Sequence, residues 1–145
     1  MVYLDTSALA KWYLQEPRSE DFARWIQDED EVWISTLTMV EMRCLLARRR
    51  RSGEITAGVE EGAFATFRED VDRGYLLLQP VENGTVHAAL ALIERLAECP
   101  LRTLDAIHLS IARGLQAERL ATADGVMSEA SEALGLEVVW FGPPT

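Results

Sequence analysis

The chain has 145 residues, 48% of them hydrophobic and 26% charged, so it is long enough and apolar enough to bury a core. Its net charge of −10 excludes a protein that binds nucleic acid through bulk positive charge alone. No apolar run approaches the roughly 20 residues that span a bilayer, and the start lacks the segments of a signal peptide. We therefore expect a cytoplasmic protein without membrane contact.

Short apolar runs alternate with helical patterns along the whole chain. The runs predict buried strands, in chain order, at residues 1–4, 32–34, 75–78, 120–122 and 137–140. The intervening patterns predict helices over about 7–15, from Ser19, from Thr38 to the arginines at 48–51, over about 55–73 and 84–98, from Thr103, and from Asp124 to Gly135. Strands separated by helices indicate an α/β protein with a parallel sheet covered on both faces.

Four acidic residues lie at or near the predicted helix starts, namely Asp5, Glu41, Asp105 and Asp124. In an open α/β sheet, the strand ends that lead into helices share one edge, and ligands bind at that edge. Four carboxylates gathered there would repel one another unless a cation lay between them. Mg²⁺ and Mn²⁺ prefer oxygen ligands, so either ion is a candidate for this place.

Each of these acids taken alone also has a purely structural interpretation. Asp5 and Asp124 are typical N-caps, and Glu41 lies three residues after Thr38 in a capping-box pattern. Asp105, in the first turn of its helix, complements the helix dipole. Capping and metal ligation are compatible, because a carboxylate has two oxygens. The case for a metal site therefore depends on the four acids together.

The sequence around all four acids resembles the PIN-domain nucleases. The similar segments, one for each acid in order, are residues 5–11, 35–41, 104–109 and 121–124. The match covers nearly the full length at the expected spacing, and the size and layout resemble the VapC toxins of toxin–antitoxin pairs in particular. One departure is the stretch 125–129, which lacks the basic residues often seen there and leaves the local substrate contacts open.

The resemblance implies both a fold and an activity. The fold would be a single PIN-like domain over residues 1–145, with a central, mostly parallel sheet of about five strands flanked by about seven helices. The activity would be that of an Mg²⁺- or Mn²⁺-dependent endoribonuclease, which cleaves RNA with a metal-activated water. The protein would be a homodimer held inactive by a small antitoxin, whose basic tail would suit this acidic chain.

Within that activity, the four acids have distinct expected roles. Asp5 and Asp105 are predicted as the primary metal ligands. Asp124 and Glu41 would complete the site, directly or through water, because Mg²⁺ retains several waters. Glu41 is also a candidate to orient the attacking water.

Several neighbouring polar residues are candidates for supporting roles. The hydroxyls of Thr6, Ser7 and Thr122 are predicted to hold Asp5 or a phosphate oxygen, with ordinary capping as the alternative of equal weight. We interpret His108, three residues after Asp105, as a buried histidine with satisfied hydrogen bonds rather than as a catalytic group.

The positive charges offer a weaker signal for RNA. Arg43, Arg48 and the arginines that follow form the densest basic patch, and Lys11 lies just beyond the first acidic motif. These side chains are candidates for phosphate contacts, with the alternative that they only complement a helix C-terminus. The aromatic residues Trp12 and Tyr13 are interpreted mainly as core, and as a candidate groove for a partner helix.

Two rival functions remain open from the residues alone. A phosphotransfer or phosphatase-type α/β domain also carries aspartates at the sheet edge, but no second Asp follows Asp5 at the expected position and no Lys follows Lys11. A non-catalytic PIN-like binding module would use the same acids only as caps. A Rossmann cofactor domain is disfavoured, because no Gly-x-Gly-x-x-Gly follows the first strand.

Overall fold

A single parallel sheet organises the computed structural model of the protein, which describes residues 1–144. Its strands are β1 (Val2–Leu4), β2 (Val32–Ser35), β3 (Leu77–Gln79), β4 (Arg119–Thr122) and β5 (Glu137–Trp140). They lie in the order β3-β2-β1-β4-β5, and each neighbouring pair is parallel. The predicted α/β class is confirmed, and the sheet is parallel throughout.

Seven helices lie within residues 1–144. They are α1 (Thr6–Tyr13), α2 (Ser19–Ile26), α3 (Thr36–Arg51), α4 (Ala57–Asp72), α5 (Asn83–Arg95), α6 (Thr103–Gly114) and α7 (Gly125–Ala133). Gly53 and Gly135 follow the ends of α3 and α7 with φ of +80° and +83°, the left-handed conformation in which glycine costs least. The predicted number and order of helices are confirmed.

The core has two parts because successive strand residues point to opposite faces of the sheet. Val2 and Leu4 of β1 pack into one cluster with residues of α1, α2, α3 and α4, such as Phe22 and Phe67. Tyr3, between them, packs into the other cluster with residues of α5, α6 and α7. Both faces of the central strand are thus covered, which explains why its sequence is continuously apolar.

One predicted helix start was wrong in detail. α3 begins at Thr36 rather than Thr38, because Ser35 is its N-cap and exchanges hydrogen bonds with Thr38. The capping box is therefore Ser35 with Thr38, and Glu41 lies one turn further on, where its side chain has other partners. α6 begins at Thr103, where its start was predicted, and Arg102 occupies the N-cap position.

The topology brings the predicted site to one edge of the sheet. Asp5 follows β1, Asp124 follows β4, and β2 leads directly into α3, which carries Glu41. α6 contributes Asp105 and, one turn later, His108. In the part of the chain that the structure describes, none of the helices combines the length and the apolar character that crossing a bilayer demands.

Candidate active site

Asp5 is a buried carboxylate held by two hydroxyl groups. Ser7 Oγ donates to its Oδ2 at 2.7 Å, and Thr122 Oγ1 donates to the same oxygen at 2.8 Å. The N–H of Asp5 donates to the carbonyl of Ala121 at 2.9 Å, which fixes the start of α1 against β4. The predicted roles of Ser7 and Thr122 in holding Asp5 are thus seen directly as hydrogen bonds.

Asp124 is the N-cap of α7. Its Oδ1 accepts from the N–H groups of Val126 at 2.8 Å and Met127 at 3.2 Å. Its own N–H donates to Thr122 Oγ1 at 3.0 Å, so one hydroxyl is bonded to both Asp5 and Asp124. The ends of β1 and β4 are therefore coupled through Thr122.

Glu41 is held by side chains from two other helices. Thr6 Oγ1, at the start of α1, donates to its Oε1 at 2.8 Å. His108 Nε2, on α6, hydrogen-bonds to the same oxygen. The other ring nitrogen of His108 lies 2.7 Å from the hydroxyl of Tyr3. Thr6 therefore supports Glu41 rather than Asp5, and His108 is buried with both nitrogens paired, as its sequence interpretation expected.

Burial and the neighbouring charges shift the pKa values of Asp5, Glu41 and His108 in opposite directions. Burial raises the pKa of Asp5 above its usual value, although the charge of His108 and the hydroxyls of Ser7 and Thr122 oppose the rise. Burial alone would raise the pKa of Glu41, but the hydrogen bond and the charge of His108 hold it below its usual value. Burial alone would lower the pKa of His108, yet the bond to Glu41 and the nearby carboxylates raise it.

Asp105 is half-buried in the first turn of α6. Its Oδ2 accepts from the backbone N–H of Arg102 at 3.1 Å, so it closes the helix start as its structural interpretation predicts. Its charge also contributes to the raised pKa of His108, which places Asp105 in the same electrostatic environment as Asp5 and Glu41. Three of the four predicted acids therefore contribute to the raised pKa of His108.

The four carboxylates share one feature that the sequence could not reveal. In each, a single oxygen takes all the hydrogen bonds made with residues 1–144, namely Oδ2 of Asp5, Oε1 of Glu41, Oδ2 of Asp105 and Oδ1 of Asp124. The second oxygen of each is left for another ligand. This donor set of carboxylate oxygens fits a hard dication such as Mg²⁺ or Mn²⁺.

The four carboxylates are not gathered into a complete metal-binding site. Over residues 1–144, no group of three or more His, Cys, Asp or Glu side chains is gathered closely enough to hold a metal ion. Joint ligation of one ion by Asp5, Glu41, Asp105 and Asp124 therefore stays a prediction. The hydrogen bonds described above connect Asp5 to Asp124 through Thr122. A separate hydrogen bond connects Glu41 to His108.

The predicted RNA contacts divide into buried and exposed groups. Lys11 is buried, and its Nζ donates to the carbonyl of Pro17 at 2.8 Å and lies 3.7 Å from Glu16. Its contact with RNA stays a prediction. Arg43 is partly exposed but pairs with Glu60 at 3.0 Å. Arg48 is exposed, and its side chain forms no ion pair within residues 1–144.

Sequence reasoning missed the contribution of Tyr3 and Ser35 to this site. The Tyr3 hydroxyl donates to Ser35 Oγ at 3.1 Å while it contacts His108, which lies 105 residues away in the chain. The available signal was weak, since Tyr3 lies two residues before Asp5 in a strand that reads only as apolar. The pairing across β1, β2 and α6 depends on tertiary structure.

Comparison with known proteins identifies related chains over nearly the full length. The family model for the PIN domain matches residues 2–133. Ribonuclease VapC46 of Mycobacterium tuberculosis is 33% identical over 141 residues, which cover 95% of each chain. Ribonuclease VapC35 of the same species is 32% identical over 143 residues, with 96% of each chain covered.

Solved structures share the fold at lower sequence identity. VapC20 of Mycobacterium tuberculosis, a toxin that cleaves the sarcin–ricin loop, matches with a TM-score of 0.73 and 20% identity, over 90% of this chain and 95% of that one. VapBC of Salmonella typhimurium, solved bound to DNA, matches with a TM-score of 0.66 and 15% identity over 97% of both chains.

Proposed function

This chain belongs to the PIN domain family, and from that premise we propose that it is a metal-dependent endoribonuclease, the toxin of a toxin–antitoxin pair. Two related chains that match it end to end are named as ribonucleases, which supports the reaction. The observation that carries the proposal is that the two oxygens of each carboxylate differ in their hydrogen bonding. One oxygen is bonded to the protein, and the other is left for a ligand.

Four oxygens are the proposed metal donors. They are Oδ1 of Asp5, Oδ1 of Asp105, Oδ2 of Asp124 and Oε2 of Glu41, either directly or through water. Mg²⁺ or Mn²⁺, when bound there, supplies Lewis-acid activation of water and compensates negative charge on the phosphate. The two hydroxyls on Asp5 restrain its carboxylate, so that its orientation is set before a ligand arrives.

Glu41 is proposed to orient the attacking water. Its carboxylate is only partly exposed, and its pKa is held below the usual value by the hydrogen bond and charge of His108 against the effect of burial. It is therefore ionised at neutral pH and able to accept a hydrogen bond through Oε2. An ionised acceptor at the edge of the sheet can hold a water in line with a phosphodiester bond.

The substrate is proposed to be RNA, held mainly by local contacts. Two of the four arginines at the end of α3 are neutralised, because Arg49 pairs with Glu16 and Arg50 pairs with Glu60. Arg48 remains an exposed candidate for a phosphate contact. With a net charge of −10, the chain has little long-range attraction for RNA, so binding should depend on the metal and a few such side chains.

A small antitoxin with a basic tail is the proposed protein partner. Trp12 and Tyr13 line two neighbouring surface cavities between α1, α2 and α4, one of them about 350 Å³ in volume and also lined by Glu29 and Asp70. An apolar groove with an acidic rim suits a helix that carries apolar and basic side chains. The VapBC complex similar to this chain is a precedent for such an assembly.

A homodimer is proposed on the exposed face of α5. Val86, Leu90 and Ile93 recur at helical spacing and are 42%, 56% and 41% exposed, so they form an apolar stripe on the surface. Leu104 of α6 is also 43% exposed. Covering these side chains with a second copy would remove a contiguous apolar patch from water.

Cleavage of RNA tests the proposed activity. Purified protein is incubated with a mixed RNA substrate and Mg²⁺ or Mn²⁺, and compared with Asp5→Asn and Asp105→Asn. Both variants should lose at least two orders of magnitude in rate, because each removes a negative oxygen donor. Asp72→Asn, at an exposed position at the end of α4, is the matched control and should cleave like the wild type.

The same assay separates the enzyme from a non-catalytic binding module. Asp105 and Asp124 do bond to the starts of their own helices, which is the observation that favours capping alone. Cleavage that is absent in the wild type, or unchanged in both variants, would support the binding module and contradict the proposed ligands.

A further inference from the structure

A buried chain of hydrogen bonds leads from the end of β2 to Glu41. The hydroxyl of Tyr3 donates to Ser35 Oγ at 3.1 Å and lies 2.7 Å from His108 Nδ1. His108 Nε2 in turn bonds to Glu41 Oε1. Tyr3, Ser35 and His108 are at most 1% exposed, so water cannot readily substitute for any of these contacts. The imidazole ring is therefore fixed from both of its nitrogens.

Glu41 differs from the three aspartates in how it is held. Asp124 and Asp105 accept backbone N–H groups, and Asp5 is short and almost fully buried. Glu41 has a longer side chain that is 24% exposed, and it is held only by two side chains. Without these contacts it would recover the rotamer freedom that a partly exposed glutamate has in solution.

We propose that His108, locked in place by Tyr3 and Ser35, is a positioning residue for Glu41. By occupying Oε1, it aims Oε2 at the edge of the sheet where Asp5 lies. Thr6 Oγ1 donates to the same oxygen at 2.8 Å, so the carboxylate is bonded to both α1 and α6. The inference deepens the proposed function and rests on it for the identity of the ligand, a divalent cation.

Two substitutions of His108 distinguish a role in positioning Glu41 from a role in packing alone. In His108→Gln, the side-chain amide nitrogen can occupy the place of Nε2 and still donate to Glu41. In His108→Asn, the amide nitrogen reaches only the place of Nδ1, so the bond to Glu41 is lost. Both variants are neutral and polar, and both replace the imidazole ring with a smaller amide, so each introduces a packing defect of the same kind. Tyr3→Phe keeps the aromatic ring and removes only the hydroxyl that fixes His108.

Mn²⁺ affinity, measured by calorimetric titration of the full chain, is the direct readout. His108→Asn should weaken Mn²⁺ binding by about 10–100-fold, the usual effect of losing a group that orients a ligand. His108→Gln should retain most of the affinity, and Tyr3→Phe should fall between the two. In a Glu41→Gln background the effect of His108→Asn should disappear, because the two residues act through one contact.

The inference is overturned if the Gln and Asn variants bind Mn²⁺ equally, if the Asn effect persists in the Glu41→Gln background, or if the wild type binds no Mn²⁺. Should both His108 variants fail to fold, Tyr3→Phe decides, and wild-type affinity in that variant overturns the inference. Failure of the proposed function is distinguishable, since a protein that cleaves no RNA can still show the expected order of Mn²⁺ affinities.

Discussion

Thr122 Oγ1 donates a hydrogen bond to Asp5 Oδ2 at 2.8 Å, across 117 residues of sequence. Thr122 Oγ1 also accepts from the backbone N–H of Asp124 at 3.0 Å and lies 3.2 Å from Ser7 Oγ. One hydroxyl at the end of β4 thus connects the carboxylate after β1 with the start of α7. A small, fully buried side chain sets the relative position of two proposed metal ligands.

Thr122→Val should therefore destabilise the protein by about 1–3 kcal/mol, because it leaves a buried carboxylate short of one donor and a backbone N–H short of its acceptor. Chemical denaturation with urea measures this change in the free energy of unfolding. Thr66→Val is the matched control, since Thr66 is exposed on α4 and bonds only to the carbonyl of Gly62. Equal losses in the two variants would contradict the structural role of Thr122.

Asp5→Asn should raise the melting temperature at neutral pH in the absence of divalent metal. Burial raises the pKa of Asp5, so the folded state holds its proton more tightly than the unfolded state does. The stability that this carboxyl contributes is present below the unfolded pKa and is lost as the pH rises toward the folded pKa. Asparagine has no such dependence.

Melting curves with and without Mn²⁺ check this expectation. The advantage of Asp5→Asn should shrink as the pH falls from the raised folded pKa toward about 4, and should be gone below that pH, where the unfolded aspartate is protonated as well. Added Mn²⁺ should raise the melting temperature of the wild type and not that of the variant, because a ligand stabilises the folded state that binds it. A variant that melts below the wild type at pH 7 would refute the argument.

Glu29→Gln should cost about 1 kcal/mol of stability at neutral pH. Arg119 donates to both oxygens of Glu29 at 2.6 Å, and this hydrogen bonding, with the charge of Arg119, holds the pKa of Glu29 below its usual value. The stabilisation is present above the unfolded pKa of about 4.3 and is lost as the pH falls through the lower folded pKa.

Denaturation at a series of pH values measures the effect of the Glu29 pair. The difference between Glu29→Gln and the wild type should be largest near pH 7 and should close under acidic conditions. Glu61→Gln, at an exposed position on α4, is the control and should show no comparable pH dependence. A gap that persists unchanged at pH 2 would show that packing, rather than charge, accounts for the loss.

Arg48→Gln should weaken RNA binding and lower the slope of log Kd against log salt concentration by about 1, as expected for the loss of one phosphate contact. Binding is measured by fluorescence anisotropy in Ca²⁺, which is used to suppress turnover. Arg49→Gln is the control, because Arg49 already pairs with Glu16 and Glu54. Its loss should lower stability and leave the salt slope unchanged, and identical slopes for all three proteins would exclude Arg48 from the interface.

The strands and the order of helices were predictable because their signals are local. β5 was predicted at residues 137–140, where the structure has it, since the apolar residues Val138, Val139 and Trp140 follow closely on the helix end at Gly135. The start of α3 was not, because both Ser35 and Thr38 satisfy the sequence pattern of an N-cap. Ser35 is chosen by its position at the end of β2, which only the sheet register decides.

The sequence nominates the four acids as candidates whose joint role stays a prediction, whereas the hydrogen bonds around them are seen only in the structure. The four acids are marked by their places after strands or near helix starts, which a single sequence displays. The burial of Lys11 was missed because it depends on how the chain turns back at Pro17 to bring Glu16 beside it. The contact of Tyr3 with His108 likewise requires β1 and α6 to be adjacent, and no local pattern encodes that adjacency.

The two-sided use of each carboxylate has a practical consequence for anyone who needs an inactive form of the protein. Replacing Asp124 with alanine would remove both a proposed ligand and the cap of α7, so a loss of function would be confounded with a frayed helix. Asparagine at position 124 keeps the capping oxygen and loses only the negative charge. Amide substitutions are thus the cleaner choice for co-purifying a harmless toxin with its antitoxin.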